Sequence, residues 1–259
     1  MVTRWLRDQR GSVALGPTLR RDPWWLEIVP TIALLGGFTI YATWAALQNA
    51  HYFAAPYLSP FYSPCLSETC AHVSLPLVGR WWTLSPAFLV LWIPLGLRGT
   101  CYYYRKAYYR AFFWAPPACA VPDRPKTYTG ETRAPWLVQN LHRYFFWLSI
   151  VVVAFLWWDA LMAFRFPTGL GIGVGTLVLS VNATLLSLFT FSCHSCRHIC
   201  GGAVDVLSRS PRRRGLWRFV TRLNERHGAI GWASLVGVGL ADLYVRLVSM
   251  GVIADVRIF

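Results

Sequence analysis

The sequence predicts an all-α integral membrane protein, a five-transmembrane-helix bundle with its N-terminus cytoplasmic and its C-terminus outside. Three observations carry that expectation. Apolar residues make up 55% of the chain and charged residues 14%, against roughly 25% charged in a soluble domain. Several stretches reach the ~20 apolar residues that a helix needs to cross a bilayer. Finally, Lys and Arg are distributed very unevenly around those stretches. A soluble globular enzyme is excluded, because so few charges cannot coat a water-facing surface. Disorder is excluded too: 14 Trp, 12 Tyr and 15 Phe do not suit a solvated coil. The formal net charge of +14 points to topology and anionic membrane lipid, not to nucleic acid.

Residues 1–27 form a cytoplasmic leader carrying Arg4, Arg7, Arg10, Arg20 and Arg21. It is not the start of a cleavable signal peptide, because the apolar core behind it is too long. The membrane domain covers 28–254, with spans near 28–50, 83–101, 144–165, 170–192 and 229–254. The second span is the weakest. It is short and holds Pro86 and Pro94, and it reaches across only if Arg98 snorkels to the interface. Residues 51–82 form an external loop, and 102–143 and 193–228 form cytoplasmic loops. Of the 25 Lys and Arg, 21 fall on the leader side and 4 on or near the other, which sets the orientation. Trp24 and Trp25 at one face, with Trp81 and Trp82 at the other, suit aromatic belts. Spans three and four are joined by Phe166-Pro167-Thr168-Gly169 and so form an antiparallel hairpin. Gly171 and Gly175 offer a small-xxx-small face for close helix packing. The sequon Asn182-Ala183-Thr184 lies within a span and is no glycosylation site.

Reactive residues collect at one face. Externally, Cys65 and Cys70 suit a local disulfide stapling the loop. On the cytoplasmic side, Cys101 closes span two and Cys193 follows span four. His142 and His227 each sit two residues before a span. At 1.5 Å per residue these four lie within ~3 Å of one plane. The densest segment is Cys193-His194-Ser195-Cys196-Arg197-His198-Ile199-Cys200. As a continuation of the fourth helix it puts Cys193, Cys196 and Cys200 on one stripe and His194 and His198 nearly opposite. Two ligand sets for one metal centre follow. One is Cys193, Cys196, His142 and His227; the other is His194, His198, Cys101 and Cys119. Two thiolates with two imidazoles suit zinc or a Rieske-type [2Fe–2S] cluster, and paired imidazoles also suit haem b. The bland alternative is thiols packed as small hydrophobes.

The run from Cys101 to Arg110, read as a helix leaving the membrane, puts Cys101, Arg105 and Tyr108 on one face, either a wall for a quinone or a snorkelling belt. Arg105, Arg143, Tyr144, Arg197 and Arg226 are the candidates for holding reduced quinone or docking a partner. Within the spans Asp159 and Asp242 are candidates for proton transfer. Asp242 and Arg246 also have the i,i+4 order of a neutralising pair.

The runs Pro60–Cys65, Cys101–Lys106, Tyr128–Arg133, His142–Phe146 and Cys193–His198 resemble the membrane-anchor (cytochrome b-like, SdhC) subunit of actinobacterial-type succinate dehydrogenase. The likeness extends from about residue 24 over nearly the whole chain. It implies a multi-pass protein of the bacterial cell membrane, inactive alone. A flavoprotein subunit and an iron–sulfur subunit would dock on its cytoplasmic face, in a complex open to higher oligomerisation. It also implies five helices, a Rieske-type [2Fe–2S] centre in place of haem, and electron transfer from succinate to menaquinone. Soluble Rieske proteins use C-x-H and C-x-x-H boxes; here only Cys196-Arg197-His198 makes one, so ligands do not transfer from that pattern. Two rival readings are a haem b-bearing anchor and a metal-binding transporter or assembly factor with no redox role.

Overall fold

The computed structural model describes residues 18–65, 73–74, 83–124, 132–133, 136–202 and 204–259. Arg4, Arg7, Arg10, Cys70, Arg80, Trp81, Trp82 and most of the Tyr128–Arg133 run lie outside them. Among the described residues eight α-helices follow in chain order: α1 Val29–Gln48, α2 Ala87–Thr100, α3 Tyr102–Tyr108, α4 His142–Met162, α5 Val174–Phe191, α6 His194–Gly201, α7 Pro211–Glu225 and α8 His227–Ser249. The strands among the described residues are three hairpins of two-residue strands: β1 Phe53–Ala54 with β2 Tyr57–Leu58, β3 Val73–Ser74 with β4 Thr83–Leu84, and β5 Arg165–Phe166 with β6 Gly169–Leu170.

Among the described residues four segments are long and apolar enough to cross a membrane: Trp24–Gln48, Leu137–Met162, Val174–Phe191 and His227–Ser249. The expected second span differs. Its first residues pair as strand β4, and α2 has only 14 residues, with Pro94 inside it. That is about 21 Å of helix against a hydrocarbon core of about 30 Å. It ends at Cys101, whose backbone is extended, so α3 starts afresh and closes in the π-turn Tyr109–Phe113. The expected continuous helix through Cys101 to Arg110 is thus broken at its first residue.

The hairpin between α4 and α5 is present as β5 and β6, which sets those helices antiparallel. α5 packs on both α4 and α8, and α4 also packs on α2. Ala160, Ala163, Leu179, Ala183, Ala241 and Val245 fill this centre. Outward, Ile40, Leu95, Leu161, Val181 and Leu240 are exposed. Such an apolar belt would be an association surface in water and is the contact face for lipid in a bilayer.

Gly171 and Gly175 do not form a helix–helix seam. Gly171 precedes α5, and a Cβ there would fall 2.6 Å from the Phe259 carbonyl oxygen; at Gly175 it would fall 2.6 Å from the Tyr57 ring. These glycines receive a loop tyrosine and the C-terminal segment, because α5 begins only at Val174. Asp255 fixes that segment. Its carboxylate accepts the Tyr57 and Tyr244 hydroxyls, each at 2.6 Å, and the Gly175 amide at 2.9 Å. A carboxylate at a helix N-terminus also complements the helix dipole.

Candidate metal centre

The centre is built where four helices end at one level. His142 opens α4, His227 opens α8, Cys101 joins α2 to α3, and Cys193 joins α5 to α6. All four are buried. His142 Nε2 lies 2.8 Å from Cys193 Sγ, and His227 Nε2 lies 3.3 Å from Cys101 Sγ. Each imidazole therefore meets a thiol through the same ring atom.

A hydroxyl stands behind each ring. Thr100 Oγ1 donates its one proton to the Gly96 carbonyl at 2.7 Å, and lies 2.8 Å from His142 Nδ1. Ser192 Oγ donates to the Phe189 carbonyl at 3.1 Å, and lies 2.6 Å from His227 Nδ1. In the tautomer that keeps both hydroxyl-to-carbonyl bonds, the hydroxyls accept and both Nδ1 atoms carry hydrogen. That tautomer points both Nε2 lone pairs at sulfur. A metal-binding histidine has this arrangement, with the far ring nitrogen anchored by a hydrogen-bond acceptor.

His194 stacks on His142 with ring centroids 5.0 Å apart, and its ligand atom joins those of His142 and Cys193 within 4.8 Å. Burial lowers the pKa of His194, and the charge of His198 lowers it further. Burial pushes the Cys193 thiol up to about 11. Cys196 is pushed up to about 12, by burial first and then by Cys200. Without a cation these thiols stay protonated near neutral pH, and binding one would release their protons.

A second feature adjoins the centre. Arg98 does not snorkel: its side chain is buried. It donates to the Tyr104 hydroxyl, to the Gly231 carbonyl at 3.2 Å and to Ser234 Oγ at 3.0 Å. Among the described residues it has no carboxylate partner. Its guanidinium sits 4.5 Å from the centre of the Phe189 ring, which itself stacks on His227 at 5.0 Å. Arg98 also lines an apolar cavity of about 460 Å³ that is bounded by α1, α2, α4, α5 and α8. Ser149 lines the same cavity, and its buried Oγ has no hydrogen-bond partner among the described residues.

A family model for the actinobacterial succinate dehydrogenase subunit SdhC matches residues 26–251. The chain belongs to that family. Among solved structures it is similar to a chain of the Mycobacterium smegmatis Sdh1 complex in the apo form. The two are 41% identical over 98% of each chain, with a TM-score of 0.85. Comparison with curated proteins yields no match. This SdhC-family chain is a multi-pass bacterial membrane protein and one subunit of a succinate dehydrogenase complex, not an enzyme on its own.

The structure brings together residues from both sets expected from sequence, His142 with Cys193 and His227 with Cys101. α5 stops at Phe191, and Cys193, in extended conformation, caps the separate helix α6. The single stripe of Cys193, Cys196 and Cys200 is therefore lost. Cys196 instead sits one turn from Cys200 along α6, while Cys101 takes the place beside His227. Cys119 is exposed, and its carbonyl is held by Arg20. His198 is exposed beside a small open pocket with His194, Arg197 and Trp217.

None of Arg105, Arg143, Tyr144, Arg197 or Arg226 lines the larger cavity. Arg105 and Arg143 lie over the Tyr102 and Tyr144 rings, and Arg197 over Trp217. Cys65 is disulfide-bonded. Asp159 is buried, and its Oδ2 has no partner among the described residues. Asp242 pairs with Arg246 at 2.8 Å, both fully buried. The sequence reading missed Thr100, Ser192, Ser149 and the buried role of Arg98. For Thr100, Ser192 and Arg98 the signal was polarity at the end of an apolar run, which many surface residues share, and for Ser149 a lone hydroxyl inside a span.

Proposed function

We propose that this subunit carries electrons from an iron–sulfur partner, itself fed by a succinate-oxidising flavoprotein, to menaquinone through a centre held by Cys101, His142, Cys193 and His227. The observation behind this reading is the pair of buried imidazoles, each presenting Nε2 to a buried thiol, at 2.8 Å and 3.3 Å. Two sulfurs and two imidazoles fit a Rieske-type [2Fe–2S] cluster in donor type and number. Neither imidazole borders the cavity, which favours such a cluster over haem b. Membership of the SdhC family weighs against a transporter or assembly factor.

When bound, a [2Fe–2S] group with imidazole ligands supplies a one-electron carrier of raised potential. The chain's own residues do the rest. Thr100 and Ser192 hold the imidazole orientation, and the surrounding apolar side chains keep water from the thiols. The cavity is within the range of small-molecule sites and would admit the apolar quinone laterally from lipid. Arg98 places a fixed positive charge where a reduced quinone oxygen needs one, and Ser149 offers its hydroxyl to a carbonyl. On this reading α2 is a short fifth crossing, and the charge asymmetry keeps α6 and α7 on the cytoplasmic side. Asp159 and Asp242 remain the intramembrane carboxylates proposed to move protons.

The test is iron content and EPR of the dithionite-reduced complex. We expect Cys101→Ala, Cys193→Ala, His142→Ala and His227→Ala each to remove a Rieske-like signal, while Cys119→Ala and His198→Ala retain it. Stoichiometric zinc without iron, or haem bands in the optical spectrum, would overturn the assignment.

A further inference from the structure

Helix α7 and its junction with α8 carry Arg214, Arg218, Arg222 and Arg226, spaced four residues apart and all exposed. At 100° per residue this spacing makes one slowly winding ridge. It juxtaposes like charges at i,i+4, which by itself is unfavourable for a helix. Glu225 is the only acidic residue on α7. Among the described residues none of the four guanidinium groups makes a hydrogen bond or an ion pair.

The ridge cannot turn inward, because the opposite side of α7 is fastened. Arg213 donates to the carbonyls of Ile199, Cys200 and Gly202 at 2.9–3.2 Å. Arg197 donates to Thr221 at 3.1 Å, Asn224 to the Ser192 carbonyl at 2.8 Å, and Val220 is buried. Between this packed side and the ridge run Leu216 and Phe219, 52% and 57% exposed. The basic row thus has an uncovered apolar stripe alongside it. Its last member, Arg226, immediately precedes His227, where α8 starts to cross the membrane.

We propose that this ridge binds the phosphodiester headgroups of anionic phospholipid in the adjoining leaflet, with Leu216 and Phe219 seated at the acyl boundary. Unpaired arginines beside exposed large hydrophobics, on a helix that runs directly into a span, match the chemistry of an interfacial helix on anionic lipid. An acidic protein surface would satisfy the arginines but leave the apolar stripe without a reason. The inference does not depend on the redox reading of the Cys/His centre.

The experiment uses the intact, detergent-purified succinate dehydrogenase complex, titrated with mixed micelles of phosphatidylglycerol, of phosphatidylcholine, or with inorganic phosphate alone. Native mass spectrometry counts bound lipid, and thermal unfolding reports its effect. Wild type should bind and be stabilised by phosphatidylglycerol only, and less so at high salt. A single exposed arginine near an anionic surface is worth roughly fivefold in affinity. The triple variant Arg214→Gln, Arg218→Gln, Arg222→Gln should therefore bind on the order of 100-fold more weakly, and the corresponding triple Lys variant should recover most of it. Equal binding by the Gln and wild-type complexes would overturn the proposal. So would equal stabilisation by phosphatidylcholine, or a Gln variant that sheds its catalytic subunits while keeping its lipid, which would assign the ridge to a protein partner. If the Gln variant fails to assemble, the salt and lipid dependence of the wild type still decides the question.

Discussion

Thr100 and Ser192 each place a hydroxyl within hydrogen-bond reach of both a helix carbonyl and an imidazole Nδ1. Removing the oxygen frees the ring to flip or to change tautomer. Thr100→Val and Ser192→Ala should each weaken retention of the bound metal by about 10–100-fold, read as iron remaining after chelator competition, while Thr100→Ser should restore it. The gathering of Cys101, His142, Cys193 and His227 at one depth was legible, because depth follows from counting residues from the ends of apolar runs. Which thiol faces which ring was not, because azimuth depends on how neighbouring helices are rotated against one another. Arg98 shows the same limit. At the end of an apolar run it reads as a snorkelling residue, and only the return of α3, which brings Tyr104 back over it, keeps the guanidinium inside.

The break between α5 and α6 has no glycine or proline to announce it. Ser192 and Cys193 interrupt the helix because Asn224 of α7 takes the Ser192 carbonyl and the Cys193 backbone becomes extended. The first is a tertiary cause, invisible to a local reading; locally, Cys193 Sγ also accepts the Ser195 amide at 3.4 Å as the cap of α6. By contrast, the β5–β6 hairpin was legible, since Pro167 and Gly169 mark a turn between two long apolar runs. At the other end of the bundle, Arg246 of α8 donates to Asp242 at 2.8 Å, to the Ala45 carbonyl at 2.8 Å and to the Ala50 carbonyl at 2.9 Å. Asp242 in turn accepts the Tyr41 hydroxyl at 2.6 Å and also that of Ser59. Asp242→Asn leaves a buried cation without its counter-charge, and should cost about 3–5 kcal/mol. The paired Asp242→Leu, Arg246→Met variant should lose much less. Unfolding in mixed detergent micelles measures both.

At the scale of the whole molecule the membrane class was the most legible property, because it follows from summed composition and needs no knowledge of contacts. The number of crossings was less so: α2 is short, and strand β4 occupies residues that look apolar enough to extend it. The orientation proposed from charge has a direct check. Cys119 is exposed, and Cys65 is held in a disulfide. A membrane-impermeant maleimide should therefore label Cys119 in inside-out vesicles and leave it unlabelled in intact cells; the reverse pattern would invert the topology.

The Arg246 guanidinium also has a consequence for biogenesis. It fastens the C-terminal carbonyls of α1, the earliest described span to leave the ribosome, from α8, the last. Until α8 is inserted, the end of α1 has no cation to cap it, and Tyr41 and Ser59 have no carboxylate to meet. The bundle thus shuts like a clasp whose two halves are made at opposite times, and a chain arrested before α8 would hold its first helix only loosely against the others.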